Sequence, residues 1–358
     1  MFILCLLRFL CTRAAIIPLL LLLLLSLPSC RPQLLSLTFD VFAVVIGRMI
    51  FFPPFSPKHY EPSFRVGSGT GKANTTATAQ CDVDVTIESD GDVSQLNSCS
   101  KLDGTINIKK GVSQILFPTG LSSISGDLVI DGATGLTSFT APGLKTISGS
   151  FKLNGLTVLS TLACPELVSV GDISWSTLPA LQTLSFTKKV SKANTVLITD
   201  TLLTSLEGIN LVTAERFNIN NNRYLRSVDV AIGNVTDVLI IEANGKGVNA
   251  SFPNLKWANN ITIRDAGDVY FPVLEEVRSS AAFVNNTFTT VEFPELTEVG
   301  ESLAFVSCSR LTTIKANSLE EVGGTFQLAN NTKLAVIDGF EKLAVVGGAV
   351  DLSGVFTK

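Results

Sequence analysis

The sequence predicts an all-β solenoid with coils of about 22–24 residues. Three observations predict it. The first is a repeated template: Leu303, Phe305, Cys308, Leu311 and Ile314 are followed 23 residues later by Phe326, Leu328, Asn331, Leu334 and Ile337. The same spacing fits Leu128, Ile130, Ala133, Leu136 and Phe139, and again Phe217, Ile219, Asn222, Leu225 and Val228, and a further copy begins at Val350 and Leu352. The second is a phrase between the templates, Pro-x-Leu-x-x-apolar, followed by a turn and an apolar-x-apolar strand. It starts at Pro142, Pro165, Pro253, Pro272 and Pro294. The third is glycine at a matching period: Gly126, Gly149 and Gly171 lie 23 and 22 residues apart, and Gly300, Gly323 and Gly347 lie 23 and 24 apart.

Each element of a coil follows from these letters. The apolar-x-apolar pairs read as short strands with one face inward. Proline precedes them where no ladder donor is required, and the recurrent glycine is expected to supply turn dihedrals that other residues resist. Each coil then has about three short extended pieces, and the length from Cys81 onwards holds roughly a dozen coils whose Leu, Ile, Val and Phe form a continuous ladder. The register weakens at 188–208 and at 233–249, which reads as a boundary between stacks or as extruded loops. The repeats are therefore expected to form a first solenoid half at 81–208 and a second, truncated half at 209–358.

Composition excludes several functions. Charged residues make up 16% and the net charge is −4, with a pI near 5.2, so there is no basic stripe for nucleic acid. The single histidine, His59, precedes the repeats, which removes the commonest general base and metal ligand from them. No Gly-rich phosphate loop, CxxC pair or Ser/His/Asp set is present, so no catalytic, cofactor-binding or metal residue is assigned and no cofactor is expected.

The amino terminus reads as a targeting region. Arg8 and Arg13 precede an apolar run from Ala14 to Leu27, the pattern of a secretory signal, so 1–30 is read as a signal peptide or leader. Residues 31–80 hold a second apolar stretch, Leu34 to Phe52, and a linker rich in Pro, Gly, Ser, Thr and Lys. The stretch is an extension of the leader or a signal-anchor. Cysteines agree with secretion: Cys81 and Cys99 flank a short segment where a solenoid needs a cap, and a disulfide between them is expected. Cys164 and Cys308 are expected to be free and buried. Six N-x-Ser/Thr sequons, at Asn74, Asn234, Asn249, Asn260, Asn285 and Asn330, are candidate N-glycosylation sites in a secreted chain. In Asn260-Ile261-Thr262-Ile263 the isoleucines alternate inward, so the asparagine is expected to point outward.

Three functions are weighed: a structural or interaction protein of the cell surface, a ligand-binding receptor-like ectodomain, and a carbohydrate-active enzyme on a β-helix. The last requires convergent carboxylates. Its candidates are Asp127, Asp172, Asp265, Asp268 and the pairs Glu275-Glu276 and Glu320-Glu321. Asp127 and Asp172 follow corner glycines and read as turn residues, and members of an adjacent pair are expected to point to opposite faces of a strand. Trp175 and Trp257 could stack on sugar, but both are read as core positions.

Several phrases together resemble a known family. They are Cys81 through Thr86-Ile87 to Cys99, Leu102-Asp103-Gly104-Thr105-Ile106-Asn107-Ile108, Ile124-Ser125-Gly126-Asp127-Leu128 and Val170-Gly171-Asp172-Ile173-Ser174-Trp175. Leu206-Glu207-Gly208-Ile209, the Asn220-Asn221-Asn222 turn and Val346-Gly347-Gly348-Ala349-Val350-Asp351 complete the set. From Cys81 onwards the chain resembles the fungal GPI-anchored cell-wall organisation glycoproteins, built on the leucine-rich-repeat-like receptor L-domain fold. The resemblance implies a secreted, N-glycosylated, non-enzymatic protein of the cell wall or outer face of the plasma membrane that supports wall integrity. It implies wall polysaccharide or wall proteins as partners, no nucleic acid, and membrane contact only through a leader or a GPI anchor. The letters up to Lys358 show no ω-site, spacer or hydrophobic tail.

Overall fold

The computed structural model describes residues 81–357. The leader at 1–30, the apolar stretch and linker at 31–80, and the sequon at Asn74 lie outside the described residues. The described chain is a parallel β-solenoid of receptor L-domain type with about 12 turns. One coil lays down a two-residue strand, Glu298–Val299, turns a corner into a longer strand, Leu303–Val306, and crosses the core to a third, Thr313–Lys315. The next coil repeats this with Glu321–Val322 and Phe326–Ala329. The short and long strands of all coils form one 19-stranded sheet, and the third strands form smaller sheets across the core.

Register is strict because one face of every strand is buried. Leu303 pairs with Phe326 and Phe305 with Leu328, all inward, while Ala304 and Gln327 face out. Pairing partners lie between 18 residues apart (Val248 and Ala266) and 24 apart (Phe326 and Val350). The inward positions fuse into one core from Val85 to Leu334. Within it aromatic rings touch from coil to coil: Phe117, Phe139, Phe151, Trp175 and Phe186, then Phe217, Phe252, Phe271, Phe283 and Phe305. Trp175 is fully buried, and its indole N–H has no hydrogen-bond partner.

The two stretches of weak register differ in structure. At 188–208 the third strand is reduced to isolated bridges, Ala163 with Ser185 and Ser205 with Ser227. In the main sheet Thr195–Thr201 pairs with Thr213–Asn220. Segment 233–249 is an ordinary coil, not an extruded loop: Asn234–Glu242 pairs on both sides.

The corners also correct the sequence reading. Gly149, Gly171, Gly300, Gly323 and Gly347 do not occupy the left-handed region. They are glycine because a Cβ would run into the backbone of the preceding coil, at the carbonyl of Arg278 for Gly300 and of Gly300 for Gly323. Left-handed backbone occurs instead at the corner after the long strand. Gly132 and Gly155 stand there in early coils (φ 64° and 66°) and Asn221, Asp265, Asn285 and Asn330 in later ones (φ 56–61°). Asn and Asp tolerate that conformation better than other side chains.

The next position is the slot read from sequence as small. Its occupants Asn222, Asn286 and Asn331 are fully buried and act as staples to the preceding coil. Asn331 Oδ1 accepts from Cys308 N–H at 2.9 Å and its Nδ2 donates to the Phe305 carbonyl at 2.9 Å. Asn286 does the same for Ala266 N–H and the Ile263 carbonyl (2.8 and 3.1 Å), and Asn222 for Thr201 N–H and the Ile198 carbonyl (3.1 and 3.0 Å). A buried amide with all of its bonds made is stable, whereas one left unpaired costs about 1–3 kcal/mol.

The amino-terminal end is capped. A disulfide joins Cys81 and Cys99, and the 3-10 turn Asp90–Leu96 lays Val93 and Leu96 over the first coil. Asp92 Oδ2 accepts from the amides of Glu88 and Ser89 at 2.9 and 2.8 Å. Asp90 ties the turn to the next coil through the Ser113 hydroxyl and amide, which hold its carboxyl below the ordinary value of 3.8. Cys164 and Cys308 are free and buried, and burial pushes both thiols up.

Three outcomes are expected. Gly323→Ala should lower unfolding free energy by about 1–3 kcal/mol in a denaturant titration, through backbone overlap alone. Because the folded pKa of Asp90 is depressed, its contribution is present above the unfolded value and lost as pH falls through the folded one. The protection of the Ser113 amide from hydrogen exchange, measured against its intrinsic rate at each pH, should therefore fall progressively as pH drops below 3.8, and Asp90→Asn should remove that dependence. Peptide mapping after treatment with a thiol reagent at neutral pH should find Cys164 and Cys308 unmodified in the folded chain and modified after denaturation.

Candidate functional surface

The outward positions of the coils are what the protein offers to its surroundings, and several of their acids have structural work. Asp127 Oδ1 accepts from the Ser150 amide at 2.7 Å and Asp172 Oδ1 from the Thr195 amide at 3.1 Å, each reaching into the following coil. Asp84 does the same for Thr105 at 2.7 Å, and the Oδ1 of Asn260 for Ser280 at 3.3 Å. These side chains form one row along a corner, linking coil to coil. Asp265 stands at the opposite corner and accepts from Asn285 Nδ2 at 2.5 Å, while Asp268 Oδ1 accepts from the Val269 amide at 2.9 Å.

The glutamate pairs behave otherwise than the alternation rule suggests. Glu275 and Glu276 both lie on the outside, because the inward places are taken by Leu274 and Val277 and residue 275 precedes the two-residue strand. Glu320 and Glu321 repeat this between Leu319 and Val322. Glu276, Glu298 and Glu321 are in register on successive coils, a stack of like charges that is mildly unfavourable by itself. Arg278 Nε lies 3.3 Å from Glu276 and Lys256 Nζ lies 3.6 Å from Glu275. Both pairs are exposed, so each adds little to stability.

Trp257 is a second correction. The template position after Pro253-x-Leu255 is residue 258, and Ala258 fills it, fully buried. Trp257 is displaced to the outside, half-buried, in register with Asn234 before it and Glu276 after it. The Arg278 guanidinium lies over its ring, 3.6 Å from the centroid. Nothing in the spacing announced this stack, because its two members come from adjacent coils.

Where the third strand is interrupted, the surface opens into a groove of about 440 Å³ lined by Lys189, Glu207, Asn210, Asp229 and Pro253. None of the carboxylates singled out from sequence lines it. Among the described residues, no group of three or more His, Cys, Asp or Glu is placed to hold a metal.

The sequons fall on different parts of the surface. Asn249 and Asn285 are exposed, the first on a third strand and the second at the left-handed corner. Asn330 occupies that same corner, also exposed, just before the buried Asn331. Asn234 and Asn260 are half-buried on the main sheet, with Val235 and Ile261 inward beside them.

No family model and no solved structure matches the chain. Curated relatives do. The chain is 38% identical over 290 residues to a cell surface GPI-anchored protein of Arthroderma benhamiae, covering 81% of this chain and 74% of that one. It is 39% identical over 288 residues to protein ecm33 of Aspergillus fumigatus, covering 79% and 72%. A cell wall mannoprotein of Saccharomyces cerevisiae, PST1, is 35% identical over 267 residues, covering 74% and 60%. The matches therefore extend over most of the coils described above. The chain belongs to the fungal family of GPI-anchored cell-surface and cell-wall proteins that includes ecm33, secreted proteins of the wall and the outer face of the plasma membrane.

Proposed function

We propose that this chain is a non-enzymatic wall glycoprotein that supports cell-wall organisation and integrity, using its outward coil faces to engage wall polysaccharide or other wall proteins. The observation that carries this reading is the placement of the candidate acids. Asp127 and Asp172 are committed to backbone amides of the next coil, both glutamate pairs sit on the outside, and Glu275 and Glu276 lie beside lysine and arginine. Hydrolysis of a glycosidic bond needs two carboxyl groups flanking one bond in a shaped site. The names borne by two of the relatives, cell wall protein and cell wall mannoprotein, agree with the reading.

The test is complementation. Disruption of the gene in its own fungus is expected to sensitise the cells to wall-perturbing dyes, and the wild-type chain to restore resistance. A variant carrying D268N, E275Q, E276Q, E320Q and E321Q should restore it equally. If that variant is secreted at normal levels and fails, carboxylate chemistry returns to consideration. If disruption leaves the wall unaltered, the proposed role is wrong.

A further inference from the structure

Trp257 stands in the coil between Asn234 and Arg278. Asn234 is its in-register neighbour on the preceding coil, and adjacent strands place the two side chains about 5 Å apart on one face. Arg278 comes from the following coil and covers the ring from there, held by Glu276 at 3.3 Å. Asn234 opens the sequon Asn234-Val235-Thr236, with Val235 buried and Thr236 exposed, so the acceptor amide and the hydroxyl are both on the solvent side. Among the described sequons this neighbourhood is particular to Asn234. Asn249 is flanked in register by Ser227 and Asp268, Asn260 pairs with Val238, and Asn285 contacts Asp265.

We propose that Asn234 is glycosylated and that its first sugar packs on the Trp257 ring, completing a stack of sugar, indole and guanidinium across three coils. The inference rests on the reading of the chain as a secreted glycoprotein. In the modification the Asn234 amide nitrogen bonds to C1 of the reducing-end N-acetylglucosamine of a lipid-linked oligosaccharide. It loses one proton and keeps the other, and polyprenyl diphosphate leaves. The chemistry of the contact is complementary. A sugar presents a C–H face to an aromatic ring, whose negative quadrupole faces also suit the guanidinium on the other side. The sugar then covers the remaining apolar area of a tryptophan that would otherwise stay in water.

The protein holds only two tryptophans, and Trp175 is fully buried, so acrylamide quenching of fluorescence reports Trp257. The full chain, secreted from a glycosylating host, is compared with its Asn234→Gln and Asn249→Gln variants, and glycopeptide mass spectrometry scores each sequon. The expected result is occupancy at Asn234 and a quenching constant about twofold higher in Asn234→Gln than in wild type, with Asn249→Gln unchanged. Occupancy at Asn249 or Asn285 with Asn234 empty overturns this inference and leaves the glycoprotein reading intact. No occupancy at any sequon overturns both. An occupied Asn234 with equal quenching in all three proteins shows that the sugar does not cover the ring.

Discussion

Each coil of this protein must lie about 4.8 Å from the next along its whole main sheet, because in-register parallel backbone hydrogen bonds permit no other spacing. Almost every residue preference described above follows from that spacing. Gly323 is glycine because the carbonyl of Gly300, one coil back, occupies the space its Cβ would need. Asn331 is asparagine because a carboxamide can reach both a donor and an acceptor of the coil beneath it. Leu303, Phe326 and Val350 stack because identical positions of successive coils fall on top of one another.

The same constraint explains how polar groups are used. A solenoid has two ends and many corners, and its corners carry backbone groups that the ladder does not pair. One row of corners is served by Asp84, Asp127, Asp172 and Asn260, whose oxygens accept amides of the following coil. The opposite corners are served from inside by the buried asparagines. Among the described residues the first coil has no predecessor, and the disulfide with the turn Asp90–Leu96 takes the place of one. Acidic residues that look catalytic in a list of letters are in large part fasteners. What remains for recognition is the open outer side: the polar groove by Lys189 and Asp229, the glutamate stack, and Trp257 with Arg278.

How much was legible in the letters depended on whether a feature lies within one coil or between coils. The inward pairs such as Phe217 and Ile219, the proline before each short strand and the slot at Cys308 repeat at a fixed period, so the sequence alone determined the solenoid, its coil length and its core. The resemblance of its phrases also placed it among fungal wall proteins. Other properties required the coils to be stacked. Gly300 looked like a turn glycine until Arg278 was seen beneath it, since its φ is ordinary and only the close approach excludes a side chain. Trp257 looked like a core residue until Ala258 was found in the buried place, since either of two adjacent apolar residues could have filled it. Glu275 and Glu276 looked divergent until residue 275 proved to lie outside the strand, where alternation no longer applies. Periodicity in the sequence determined which residues repeat. Only the tertiary structure decided what each one touches, because the contacts run between residues some 18 to 24 positions apart whose side chains meet only after the register is set.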